Sequence, residues 1–200
     1  MHDKQIYLLR HGDTGCNKRY IGSSDVPVSP KGFLDIKGSC AFLSSIDFDY
    51  VMCSPMTRCV QTMSYITTPQ TVHYFDYLKE IDFGRWEKKK FAEIVKEDQD
   101  LVDSWAQNPD AFCFPEGECI PAFQNRVLSA ATSLYEIQAK RILVVSHGGI
   151  IRNLLCHLLR VPKEQYLLFD VLPGCFSTIR LHKEGGVLTG LNLRGSLCQN

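Results

Sequence analysis

Short apolar runs ending in turn residues recur along this 200-residue chain, and they predict its strands. Ile6–Leu9 leads into Arg10-His11-Gly12, Tyr50–Cys53 into Ser54-Pro55, and Ile142–Val145 into Ser146-His147-Gly148-Gly149. Val72–Phe75 reads as a further strand. Apolar runs without alternation suit parallel strands covered on both faces. Between them the spacing lengthens to that of helices. Ser29-Pro30 has the form of an N-cap with proline at the first helical position, opening a helix towards Ser44. Others are expected from near Met56, across Ala92–Trp105 and over Ile150–Leu159. The clearest amphipathic stretch is Ile120–Ile137, with Ile120, Phe123, Val127, Ala130, Ala131, Leu134 and Ile137 on one stripe. Ser177–Leu181 and Val187–Leu193 flank Gly185-Gly186 and read as a closing hairpin. Strands alternating with helices imply an α/β fold, a three-layer α/β/α sandwich around a mostly parallel sheet. No repeat, linker or low-complexity tract divides the chain, so residues 1–200 are expected to form a single domain.

Composition narrows the partners. At 44% hydrophobic and 22% charged the chain has the make-up of an ordinary soluble protein. Its 22 lysines and arginines balance 22 aspartates and glutamates, so no global field favours nucleic acid or a membrane surface. Any attraction for an anion must be local. No apolar run is long enough to span a bilayer, and MHDKQIYLLRHG lacks the basic start and long apolar core of a secretory signal. A cytoplasmic location is expected. The nine cysteines include no C-x-x-C pair and read as small apolar thiols of a reducing compartment. The alternative is a disulfide or redox role for Cys113 and Cys119. The run Lys88–Lys90 reads as a solvated face, or else as rim charge that attracts an anionic substrate.

Ligands of open parallel sheets bind beyond the carboxyl ends of the strands. Two histidines stand there, His11 and His147, each followed by a glycine that lets the backbone turn sharply beside a ligand. Arg10 adjoins the first, and Arg58 falls in the opening turn of the helix after Ser54-Pro55. Two arginines and two histidines converging on one crevice would form a cationic cup suited to a phosphoryl group. A metallohydrolase built on His11, Asp13 and His147 is the competing reading, but it lacks further ligands at close spacing.

The strings LLRHGDTGCN, SPKG, CSPMTRCVQT, LKEIDFGRWE, FPEGE and VVSHGGIIRNLL occur in that order nearly end to end. Together they resemble the histidine phosphatase superfamily, the phosphoglycerate-mutase-like group. The resemblance implies that His11 is a nucleophile that becomes transiently phosphorylated, with Arg10, Arg58 and His147 holding the phosphoryl oxygens. It implies Glu80 as proton donor and acceptor, with Asp82 as the local competitor. Asn17 matches a phosphate-binding asparagine, and Thr14 and Gly148 are further candidates at the phosphate. No metal or cofactor is called for, and the expected partner is a small-molecule phosphate ester. Three departures bear on substrate choice: Lys88 stands in place of a glycine after Trp86-Glu87, Asp35-Ile36 in place of glutamine-alanine, and Cys119 in place of serine.

Within the group, the stretch Trp105-Ala106-Gln107-Asn108-Pro109-Asp110 carries no paired arginines to clamp a substrate carboxylate. Hydrolysis is therefore expected, in the manner of the α-ribazole phosphatase and broad-specificity branches. Phosphoglycerate mutase activity is the first alternative, and a catalytically weak phosphate-binding scaffold the second. The insertion 83–115 is expected to cover the substrate. Its Phe83, Trp86, Phe91, Trp105, Phe112 and Phe114 would admit a ring-bearing leaving group, although most are expected to serve packing.

Overall fold

Four apolar runs build the parallel part of the sheet in the computed structural model, which describes residues 3–195. These are β1 (Lys4–Arg10), β2 (Tyr50–Cys53), β3 (Val72–Tyr74) and β4 (Arg141–Ser146). β5 (Phe176–His182) and β6 (Gly185–Leu193) complete the order β3-β2-β4-β1-β5-β6. β1 pairs in parallel with β4, from Gln5 opposite Arg141 to Arg10 opposite Ser146, and antiparallel with β5. The sheet is mostly parallel as expected, with β5 and β6 added antiparallel at one edge. Strands far apart in the chain bring His11 and His147 to neighbouring strand ends.

Pleating divides the continuous apolar runs between two cores. Ile142 and Val144 face one core with Ile6 and Leu8. Leu143 and Val145 face the other with Leu9 and Val51. The first core is covered by α5 (Ile120–Glu136) and α6 (Gly148–Leu159), with α4 (Phe91–Gln107) beyond them. The second is covered by α1 (Pro30–Asp35), α2 (Lys37–Ser44) and α3 (Thr57–Met63). Among the described residues no helix is long and apolar enough to cross a membrane.

Three expectations need correction. The single helix from Ser29-Pro30 towards Ser44 is two helices joined at Ile36. Ser29 does cap the first, its hydroxyl accepting from the Gly32 N–H at 3.0 Å. The joint falls where the buried Ile36 side chain wedges against the backbone of Gly12 and Gly174, beside the His11 loop. The hairpin does not turn on Gly185-Gly186. The turn is Lys183-Glu184, and both glycines belong to β6, where a Cβ on Gly186 would lie 2.7 Å from Ile179 Cγ2 and 3.1 Å from Leu158 O. Finally, not every cysteine is a thiol: Cys113 and Cys119 form a disulfide. They face each other across a short hairpin in which Phe114 N–H donates to Glu118 O and Ile120 N–H to Phe112 O. Cys16, Cys40, Cys53, Cys59, Cys156 and Cys175 are free thiols; Cys198 lies outside the described residues.

Candidate active site

The loop after β1 is held from three sides. His11 N–H donates to Ser146 O at 3.0 Å, Gly12 N–H to Thr62 Oγ1 at 3.0 Å, and Gly174 N–H to His11 O at 3.0 Å. The imidazole tautomer follows from its partner. His11 Nδ1 lies 2.8 Å from Gly12 O, and a carbonyl can only accept, so Nδ1 carries the proton. Nε2 is left with its lone pair. Burial, reinforced by the charges of Arg10 and Arg58, holds the ring well below its ordinary value of 6.5, which keeps it neutral.

His147 lies alongside, its ring centroid 5.1 Å from that of His11. Arg58 Nε–H donates to His147 Nδ1 at 3.0 Å, which places the His147 proton on Nε2, 2.8 Å from Ser54 Oγ. The rest of the Arg58 guanidinium donates to Ser24 O at 2.9 Å and Gly22 O at 2.7 Å. Burial, then the nearby His11, Arg58 and Arg10, hold His147 well below 6.5 as well. Arg58 and His147 are both fully buried and stand behind His11, rather than on the cavity wall as the sequence suggested. Arg10 does reach that wall. Its Nη1 donates to Val171 O at 2.7 Å, while its Nε, shielded from solvent, has no partner among the described residues.

A cavity of about 310 Å³ opens over the imidazole, lined by Arg10, His11, Thr14, Asn17, Lys18, Arg19 and Glu80. Thr14 and Asn17 are therefore where the sequence expected them. Gly148 is not on the wall; its bare Cα instead lets the Arg10 guanidinium pack against the start of α6, where a Cβ would lie 3.2 Å from Arg10 Cζ. The Glu80 carboxylate accepts from the Gly149 N–H at 2.8 Å, in the first turn of α6, and from the Ile81 N–H at 3.1 Å. Asp82 faces elsewhere. Its carboxylate accepts from Ser23 Oγ and the Gly84 N–H and lines a cavity of about 510 Å³ that Glu80, Glu118 and Arg126 share, but it is not on the wall of the cavity at His11.

Beyond Glu80 lies another cavity, of about 480 Å³, with Tyr20, Phe83, Trp105, Phe114, Phe123 and Tyr166 in its wall. Gln124 and Asn153 add amides to that wall, and Gln124 Oε1 has no partner among the described residues. Of the rings in 83–115, Phe83, Trp105 and Phe114 thus face the cavity. Trp86 and Phe112 are core, and Phe91 is exposed. The lysine run is structural: Lys89 pairs with Glu97, and Lys90 precedes α4 as its N-cap.

The sequence profile of the histidine phosphatase superfamily (branch 1) matches residues 6–194. The chain belongs to that superfamily. Adenosylcobalamin/alpha-ribazole phosphatase of Escherichia coli (strain K12) is 29% identical over 201 residues, 98% of this chain and 99% of that protein. Phosphoserine phosphatase 1 of Hydrogenobacter thermophilus is 26% identical over 197 residues, 94% of this chain and 92% of that one. Among solved structures, the alpha-ribazole phosphatase from Shigella flexneri superposes with a TM-score of 0.87 at 29% identity, covering 98% of this chain and 100% of that one.

Several contributors to the site of this histidine phosphatase escape a reading of its motifs. Lys18 and Arg19 supply positive charge on the cavity wall, and their only signal is a basic pair directly after Asn17. Gly149 holds Glu80 through its N–H, and a Cβ there would fall 2.5 Å from Glu80 Oε1. Among the described residues, no group of three or more His, Cys, Asp or Glu side chains is arranged to hold a metal ion.

Proposed function

We propose that this histidine phosphatase hydrolyses small phosphomonoesters through a phosphohistidine on His11. One observation carries the reading: a neutral imidazole with its Nε2 lone pair unprotonated lines a cavity walled by Arg10, Lys18 and Arg19, with a carboxyl group, Glu80, on the same wall. Nε2 attacks phosphorus while Glu80 gives a proton to the departing oxygen; Glu80 then takes a proton from the water that cleaves the P–N bond. The Arg10 guanidinium meets a phosphoryl oxygen at the cavity wall, with Asn17 and Thr14 as further donors. Gly148 serves by admitting the Arg10 guanidinium. Arg58 fixes the His147 tautomer, and the pair stands beside His11, where the buried guanidinium charge stabilises the phosphoryl group as charge builds up.

Charge stabilisation then comes from side chains, and no metal takes part. The aromatic cavity next to Glu80 supports a leaving group that carries a flat ring, and the relatives named as alpha-ribazole phosphatases support a small phosphorylated metabolite. The insertion 83–115 covers that group within a single domain. The lack of paired arginines in Trp105–Asp110 supports release to water over return of the phosphoryl group to a hydroxy acid.

The test is rapid quenching with a ³²P-labelled ester in the presence of a chelator. Label that stays on the protein in base, is lost in acid, and disappears in His11→Ala is expected. Full turnover by His11→Ala, or loss of turnover on chelation, would overturn the proposal. Conversion of 3-phosphoglycerate to 2-phosphoglycerate with little phosphate released would replace hydrolysis by mutase chemistry.

A further inference from the structure

Glu80 lies in a stretch without regular structure, between 3-10 turns at Asp76–Leu78 and Gly84–Trp86. Neither a sheet ladder nor a helix fixes its backbone. The carbonyls of this stretch turn towards α5, where one guanidinium collects them. Arg126 Nη1 donates to Tyr77 O at 3.2 Å and to Lys79 O, and Nη2 donates to Glu80 O at 3.1 Å. The same guanidinium grips Glu118 two-pronged, Nε to Oε1 at 2.7 Å and Nη2 to Oε2 at 2.8 Å. Glu118 reaches back to the stretch from its other end: its Oε2 accepts from the Asp82 N–H at 3.3 Å, and its own N–H donates to Asp82 O at 2.9 Å. The Arg126 guanidinium also lies over the Phe123 ring, 4.8 Å from its centroid, so its plane is fixed from below.

We infer that Arg126, with Glu118 as its counterion, is the positioning residue for Glu80: it clamps the backbone on both sides of the acid/base carboxyl and holds that carboxyl at the seam between the phosphate cavity and the aromatic cavity. This rests on Glu80 being the proton donor. A planar five-donor fork is needed, because three carbonyls and two carboxylate oxygens are served at once; a lysine ammonium has only three donors. Neither Arg126 nor Glu118 lines the phosphate cavity; both share with Glu80 the wall of the 510 Å³ cavity on its other side, so their reach to the phosphoryl group runs through Glu80.

A positioning role separates from a structural one by leaving group. In a double displacement, kcat/KM reports only the steps through phosphorylation of His11. An alkyl phosphate needs a proton on its departing oxygen, whereas p-nitrophenolate departs without one. Arg126→Lys, Arg126→Met and Glu118→Gln are expected to lower kcat/KM on benzyl phosphate by roughly ten- to a hundredfold, the scale of a misplaced catalytic group. Their kcat/KM on p-nitrophenyl phosphate should stay within about threefold of the parent. In a Glu80→Gln background Arg126→Lys should add no further loss on benzyl phosphate. An equal fall on both esters, no fall on either, or full additivity with Glu80→Gln would each overturn the inference. Glu80→Gln alone discriminates the layer beneath. If its own loss is the same for both esters, the acid/base reading fails and takes this one with it; if its loss is selective and that of Arg126→Lys is not, only the positioning role fails. Glu118→Gln, nearly isosteric, keeps the test available should the Arg126 variants fold poorly.

Discussion

His11 and His147 are both buried, both neutral and both beside permanent cations, which couples the site to the stability of the protein. In the unfolded chain each imidazole binds a proton near pH 6.5; in the folded protein each resists it until the pH is well below that. The unfolded state therefore binds more protons as the pH falls, and stability present above 6.5 is lost below it. The limiting slope is about 1.4 kcal/mol per pH unit for each imidazole. Urea unfolding should show lower stability at pH 5 than at pH 7, by up to roughly 3–4 kcal/mol from this source, and His11→Gln should make the difference smaller. A flat profile, or an unchanged slope in the variant, would contradict the burial argument. Arg10, His11, Arg58 and His147 were legible as a group because each sits in a short string at a strand or helix end. Their division of labour was not. That Arg58 stands behind His147 depends on the carbonyls of Gly22 and Ser24, which no local pattern announces. Gly149 and Arg126 escaped for the same reason, since each acts on a stretch remote in sequence.

Elements were easier to read than their joints. Apolar runs mark β1, β2 and β4 because their two faces are both buried. The amphipathic stripe marks α5 because only one of its sides meets the core. The break at Ile36 and the position of the β5–β6 turn are set instead by close packing against other backbone, which periodicity does not carry. The hairpin closed by Cys113–Cys119 is another such joint, and it carries Phe112 and Phe114 on either side of Cys113. Phe114 faces the aromatic cavity, so the crosslink stiffens one wall of it. Closing so short a loop contributes about 2 kcal/mol. Cys119→Ser should lower the free energy of unfolding in urea by about that amount. It should also raise KM for a ring-bearing ester several-fold while leaving that for a small alkyl ester nearly unchanged. Equal KM changes for both would show that the crosslink has no bearing on the aromatic wall.

For the molecule as a whole, the balance of charges hides a local field. Arg10, Lys18 and Arg19 share one cavity with only Asp13 and Glu80 against them, although the chain is neutral overall. The strand order has a different reach. β1, which leads into His11, is paired on one side with β4 and on the other with β5. Both neighbours are synthesised long after it, so the ribosome releases a strand that waits, unpaired, for most of the protein to be made. Topologies dominated by such distant pairings fold slowly, and a centre sealed by the last strands to arrive has no partly working precursor. The crevice between the His11 and His147 loops therefore exists only once the chain is almost complete.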